Sequence, residues 1–176
     1  MLFFSFLVLG IGLIVFQTAL LQFLPQSMGR PDIVFILVTF IAYRFAWIPG
    51  IILAFSLGWI MDVVGGIYLG FYPLMCLLVF AAIKMLTRKS PIKEFTYQIP
   101  LVGLSYLLAQ MCFYFVYSIT RPEVLPEWVW KSVVQRTILI LLSAVPLFLL
   151  FNALYEMIQR RRMRSKSVKR RLRRVS

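Results

Sequence analysis

The segment Pro49–Leu74 reads PGIILAFSLGWIMDVVGGIYLGFYPL, and its small residues decide the fold. Gly50, Ala54, Gly58 and Asp62 follow one another at intervals of four. That interval keeps successive residues on one side of an α-helix, drifting about 40° per step. In lipid, small residues let two helix backbones approach closely. The segment therefore predicts a helix with a close-packing face, used within the protein or by a partner, that ends in a polar residue at the water boundary.

The composition around this segment is that of an integral membrane protein. Of the 176 residues, 61% are hydrophobic and 14% are charged, whereas a soluble domain is about half apolar and a quarter charged. Cys76 and Cys112 both lie within apolar runs, which favours small buried side chains over a disulfide or a metal site. The chain has no histidine, the commonest base and metal ligand. We therefore expect no cofactor and no metal.

The apolar runs predict an all-α membrane protein with six transmembrane helices in residues 1–158, followed by a basic tail over residues 159–176. Helices two and three are short, which indicates a hairpin shielded by protein or, alternatively, a re-entrant loop. Proline and aspartate before helix two suit a first helical turn. The predicted helices are Met1–Leu24, Ile33–Tyr43, Pro49 to Asp62–Val64, Leu69–Leu86, Tyr97–Ile119 and Ser132–Ile158.

Positive charge is concentrated at the carboxyl end. The chain has a net charge of +13, and ten basic residues without an acid lie between Arg160 and Arg174. Basic residues mark the cytoplasmic side of a membrane protein, so we expect a multi-pass membrane protein with both termini in the cytoplasm. A tail next to a membrane helix pairs more simply with anionic lipid than with nucleic acid, and an acidic cytoplasmic partner is the alternative. The predicted lipid-binding residues are Arg160, Arg161, Arg162, Arg164, Lys166, Lys169, Arg170, Arg171, Arg173 and Arg174.

Few groups in the apolar part are capable of chemistry. Arg30, Asp32 and Asp62 fall on the same outer side of a six-span topology, so they could come together as structural polar residues. The chain has no G-x-S-x-G, phosphate loop or H-E-x-x-H motif, and we predict no catalytic residue. Residues on one face of helix five pack internally or line a pocket: Tyr106, Gln110, Phe113, Tyr114 and Tyr117.

The stretch Arg30–Leu74 resembles the MreD family of rod shape-determining proteins. The resemblance rests on an Arg-Pro-Asp opening before an apolar helix and on a later run of glycines around an aspartate. The residues that carry it are Arg30–Pro31–Asp32, Pro49–Gly50, Gly58, Asp62, Gly65–Gly66 and Leu69–Gly70. Outside this stretch the likeness is one of hydropathy and length, and it does not account for the long basic tail.

The resemblance implies a membrane scaffold of the bacterial elongation complex and not an enzyme. Such a scaffold controls cell shape and lateral peptidoglycan synthesis by binding MreC and, indirectly, MreB, RodA and a class B penicillin-binding protein. The family fold is similar to the substrate-binding subunits of energy-coupling-factor vitamin transporters, which gives the alternative function. Those subunits dock through small residues of the first helix, where this chain offers only Gly10 and Gly12.

Overall fold

A computed structural model describes the backbone of residues 2–20, 32–65, 70–89, 95–120 and 130–175. These residues form six α-helices and contain no strand, so the all-helical prediction is confirmed. Arg30, Pro31, Gly66 and Leu69 of the MreD-like stretch lie outside the described residues, as do the side chains beyond Arg160. The helices are α1 (Leu2–Leu20), α2 (Ile33–Arg44), α3 (Trp47–Gly65), α4 (Phe71–Lys89), α5 (Phe95–Thr120) and α6 (Trp130–Val175).

The short helix α2 lies at the centre, with the other five helices packed around it. Every residue from Ile33 to Ala42 is buried, as expected of a helix that is apolar on all sides. Phe35 packs edge-on against Tyr106 of α5, with 5.3 Å between ring centroids, and Phe40 packs against Phe148 of α6 at 5.6 Å. Because protein covers α2, its length of about 18 Å need not match the thickness of a bilayer.

The helices α2 and α3 form a hairpin, as one of the two sequence interpretations predicted. Only Phe45 and Ala46 separate the two helices. The Phe45 amide donates to the Ile41 carbonyl at 2.9 Å, and the Gly50 amide donates to the Ala46 carbonyl at 3.0 Å, so the turn satisfies its own backbone groups. Helix α3 has 19 residues and is longer than predicted, because Trp47 and Ile48 before its predicted start are helical and it continues to Gly65.

The small-residue face of α3 packs inside the bundle, against α4. A Cβ atom on Gly58 would lie 2.6 Å from the backbone Cα of Pro73, and one on Gly50 would lie 2.5 Å from the ring of Phe80. Ala54, between them, is fully buried. The stripe is therefore an internal contact between α3 and α4.

Three of the six helices are long and apolar enough to cross a membrane, judged by length and composition. They contain the candidate spans Leu2–Ala19, Trp47–Gly65 and Val133–Arg160. The remaining apolar helical segments are shorter: Ile33–Arg44, Phe71–Thr87 and Ile99–Cys112. Large apolar side chains also cover the outside of the bundle. Phe4 and Val8 of α1 are each 68% exposed, which suits a surface in contact with lipid acyl chains.

Helix α6 continues past Ile158, where the sequence predicted the end of the sixth helix. It has 46 residues, runs through Pro146 and ends at Val175. Residues 159–175 are thus part of the same helix as the apolar segment before them. Their basic composition alone did not indicate this, because a run of like charges is typical of a solvated and unstructured tail.

Candidate functional site

Asp62, near the end of α3, organises the start of α4. Its carboxylate accepts a hydrogen bond from the Gly70 amide at 2.7 Å and from the Tyr72 amide at 3.2 Å. The first amides of a helix have no partner within the helix, so a carboxylate there supplies acceptors and complements the helix dipole. Gly70 has a φ of +97°, a conformation that glycine adopts at little cost. The start of α4 is therefore held by a buried carboxylate eight residues before Gly70.

Asp32 organises the start of α2 in a similar way. It lies one residue before the helix as the N-cap, and not within the first turn as predicted, and it accepts from the Phe35 amide at 3.1 Å. Gln17 of α1 completes the cap, because its side-chain oxygen accepts from the amides of Ile33 at 3.0 Å and Val34 at 3.3 Å. The amide of Gln17 also donates to Asp32 at 3.4 Å. The amino end of α2 is thus held by its own aspartate and by α1.

Tyr72 joins the two aspartates. Its backbone amide donates to Asp62, and its hydroxyl donates a hydrogen bond to the carboxylate of Asp32. We call Gln17, Asp32, Asp62 and Tyr72 the aspartate cluster. It links α1, α2, α3 and α4 at one end of the bundle. The predicted topology allowed Asp32 and Asp62 to come together, and in the structure Tyr72 forms hydrogen bonds with both.

The electrostatics of the cluster favour hydrogen bonding over free charge. Burial raises the pKa of the Asp32 carboxyl above its ordinary value, while hydrogen bonds from Tyr72, Phe35 and Gln17 act in the opposite direction. Each oxygen of Asp32 accepts from at least one of these donors. The carboxyl group of Asp32 therefore holds helix ends in place, and both of its oxygens already accept hydrogen bonds.

The opposite end of the bundle carries basic side chains. The ammonium group of Lys84 donates to the carbonyls of Ala42 at 3.1 Å and Phe45 at 2.5 Å, where the last carbonyls of α2 have no partner within the helix. Arg44 donates to Asn152 of α6, and its guanidinium lies 5.6 Å from the centre of the Tyr155 ring. These side chains fix the carboxyl end of α2 between α4 and α6.

The sequence left two alternatives for one face of helix five, internal packing or a pocket lining. At the centre of that face the side chains make contacts within the protein. Tyr106 is 6% exposed and packs on Phe35, and its hydroxyl accepts from the Gln110 amide at 2.8 Å. Tyr114 is partly buried, and the side chains of Phe113 and Tyr117 lie outside the described residues. In the part of the chain that the structure describes, no three histidine, cysteine, aspartate or glutamate residues form a group that could hold a metal ion.

The sequence missed Gln17 and Tyr72, which hold the aspartate cluster together. Each is a single polar or aromatic residue in an apolar run, and nothing in its spacing connects it with an aspartate that is 15 residues away for Gln17 and 40 residues away for Tyr72. One available signal was the unpaired amides at the start of α2, which require acceptors when they are buried.

Together the fold and the site define an all-helical bundle with the features of a multi-pass membrane protein, in which buried polar groups fix helix ends. No family model matches the chain, and no curated protein or solved structure shows significant similarity to it.

Proposed function

We propose that the chain is a non-enzymatic membrane scaffold of the bacterial elongation complex, similar to MreD. The observation that carries this proposal is the use of Asp32 and Asp62, which belong to the MreD-like stretch. Both carboxylates accept hydrogen bonds at helix starts, and Tyr72 joins them. Carboxylates that hold helix starts in place determine the shape of the bundle. A scaffold acts through its shape.

In this proposal all six helices cross the inner membrane and both termini are cytoplasmic. The end of the bundle with Arg44 and Lys84 then faces the cytoplasm, in keeping with the preference of basic residues for that side. The aspartate cluster faces the outside. The basic residues nearest the membrane, Arg160–Arg164, bind anionic lipid headgroups.

MreC is the proposed direct partner, with MreB, RodA and a class B penicillin-binding protein reached through it. Because Gly50 and Gly58 pack against α4, the partner's transmembrane helix binds the lipid-facing surface of the bundle. That surface consists of large apolar side chains of α1 and α3, including Phe4, Val8 and Trp59.

Affinity purification of the full chain from its native membrane tests the proposal. MreC should co-purify, and depletion of the chain should produce rounded cells. Gly65→Leu is the matched control, because a Cβ atom at this position meets no described atom within 4 Å, and it should retain MreC. Gly58→Leu should lose the bundle together with the partner, because the added side chain collides with α4.

Two results would overturn the proposal. One is co-purification of a transport ATPase in place of MreC, together with a small molecule released from the purified protein and detected by mass spectrometry. That result would indicate the vitamin-transporter alternative. The other is a hydrolysis or transfer activity that is lost on Asp32→Asn or Asp62→Asn, which would make the chain an enzyme.

A further inference from the structure

Helix α6 carries the basic residues away from the bundle as a continuation of the apolar helix. Its apolar part is the candidate span Val133–Arg160, and the same helix continues to Val175. Between Arg160 and Arg174 lie ten basic residues and no acid. A continuous helix keeps the direction of its apolar part, whereas a segment lying flat on a membrane requires a break at the boundary.

The base of this extension is attached to the rest of the bundle. Asn152 accepts from Arg44 and donates to Glu156 at 3.3 Å, and Glu156 forms an ion pair with Arg160 at 3.7 Å. This series of contacts begins at the carboxyl end of α2, the central helix. The direction in which α6 leaves the bundle is therefore set by contacts at the carboxyl end of α2.

The helix carries its last basic residues beyond the reach of the lipid headgroups. At 1.5 Å per residue, Lys169 lies about 14 Å and Arg174 about 21 Å beyond Arg160. A headgroup layer is about 5–8 Å thick on each side, and charges are screened over about 8 Å at physiological ionic strength. Lys169 therefore lies at the limit of attraction to the membrane, and Arg174 lies past it.

We propose that residues 169–174, which we call the distal arm, dock into an acidic groove on a cytoplasmic protein. The distal arm contains five basic residues and no acid, so charge complementarity requires an acidic site. Apolar residues recur at Val168, Leu172 and Val175, intervals of four and three that are typical of a helix bound in a protein groove. Nucleic acid would bind the basic residues through its phosphates, but it would leave the spacing of the apolar residues unexplained. The inference rests on the cytoplasmic carboxyl end of the proposed function, and it holds whether or not MreC is the membrane partner.

The first test measures how far the arm lies from the membrane. The full chain, with Cys76→Ala and Cys112→Ala, receives a fluorophore at Ser176→Cys and is reconstituted into nanodiscs containing phosphatidylglycerol. Energy transfer to a headgroup acceptor should be low. Ser165→Pro, which interrupts the helix before the distal arm, should raise the transfer by letting the arm fold onto the membrane. Equal, high transfer in both proteins would overturn the inference.

The second test identifies what the arm binds. A photo-crosslinking amino acid at Leu172 of the full chain in native membranes should crosslink to a protein. The purified protein should then bind the full chain in nanodiscs in a salt-dependent manner, with at least a tenfold loss when the five basic residues of the distal arm become glutamine. The matched control replaces Arg160, Arg161, Arg162 and Arg164 with glutamine, and it should retain binding. Crosslinks to lipid or nucleic acid, no crosslink at all, or equal losses in both variants would overturn the inference.

Discussion

At the scale of single residues, the carboxylate of Asp62 supplies the acceptors for two amides at the start of α4. Asp62→Ala should leave the amides of Gly70 and Tyr72 without this acceptor and lower the free energy of unfolding by about 1–3 kcal/mol. Asp62→Asn keeps one acceptor oxygen and should cost less. Unfolding of the purified variants in detergent measures both effects. A stability of Asp62→Ala equal to that of the unmodified protein would contradict the capping role.

Two tyrosines permit a matched comparison of buried hydroxyl groups. The hydroxyl of Tyr72 donates to Asp32, whereas the buried hydroxyl of Tyr43 has no hydrogen-bond partner among the residues that the structure describes. Tyr72→Phe should destabilise the protein by about 1–3 kcal/mol because Asp32 loses a donor. Tyr43→Phe removes an unsatisfied group and should be neutral or stabilising. The same detergent unfolding assay compares them, and equal losses in the two variants would refute this assignment of roles.

The aspartate cluster shows how far residue patterns alone lead. The expected six-span topology put Asp32 and Asp62 on one side, which allowed them to lie close together but did not require it. It did not indicate that Tyr72 joins them, because this link depends on the position of α4 relative to α2. The sequence pattern before helix two placed Asp32 in the first helical turn, whereas the cap geometry places it one residue earlier.

At the scale of helices, the contact between α3 and α4 depends on glycine to different degrees at different positions. Gly58→Ala should cost about 1–3 kcal/mol, because the new Cβ meets the backbone of Pro73, which cannot move without displacing α4. Gly50→Ala meets the ring of Phe80, which can rotate, so its cost should be smaller. Gly12→Ala should be neutral. The order of the unfolding free energies tests the contact, and Gly58→Ala as stable as Gly12→Ala would exclude it.

The stripe itself was predictable from its intervals, and the helix it contacts was not. Small residues every four positions indicate a close contact, but every helix of this chain is apolar enough to be the neighbour. The covering of α2 by protein was indicated more strongly. A 12-residue helix that is apolar all round can neither span a bilayer easily nor lie at a surface, so protein must cover it.

At the scale of the whole molecule, two sets of polar contacts lie at opposite ends of the bundle and assign a direction to helices α1–α4. Gln17, Asp32 and Asp62 meet at one end, while Lys84 and Arg44 lie at the other, by the carboxyl end of α2. Helices α1 to α4 therefore run in alternate directions. Hydropathy predicts the number of apolar helices, but the pairing of their ends depends on these long-range hydrogen bonds.

This alternation predicts the membrane topology around α3. Ala46 and Gly65 are exposed residues at its two ends, so they should face opposite sides of the membrane. In a chain with Cys76→Ala and Cys112→Ala, a membrane-impermeant maleimide added to intact spheroplasts should label Gly65→Cys and leave Ala46→Cys unmodified until the membrane is opened. Ser176→Cys is the control for the cytoplasmic side and should behave like Ala46→Cys. If Ala46→Cys and Gly65→Cys react from the same side, α3 does not cross the membrane and the six-span arrangement is wrong.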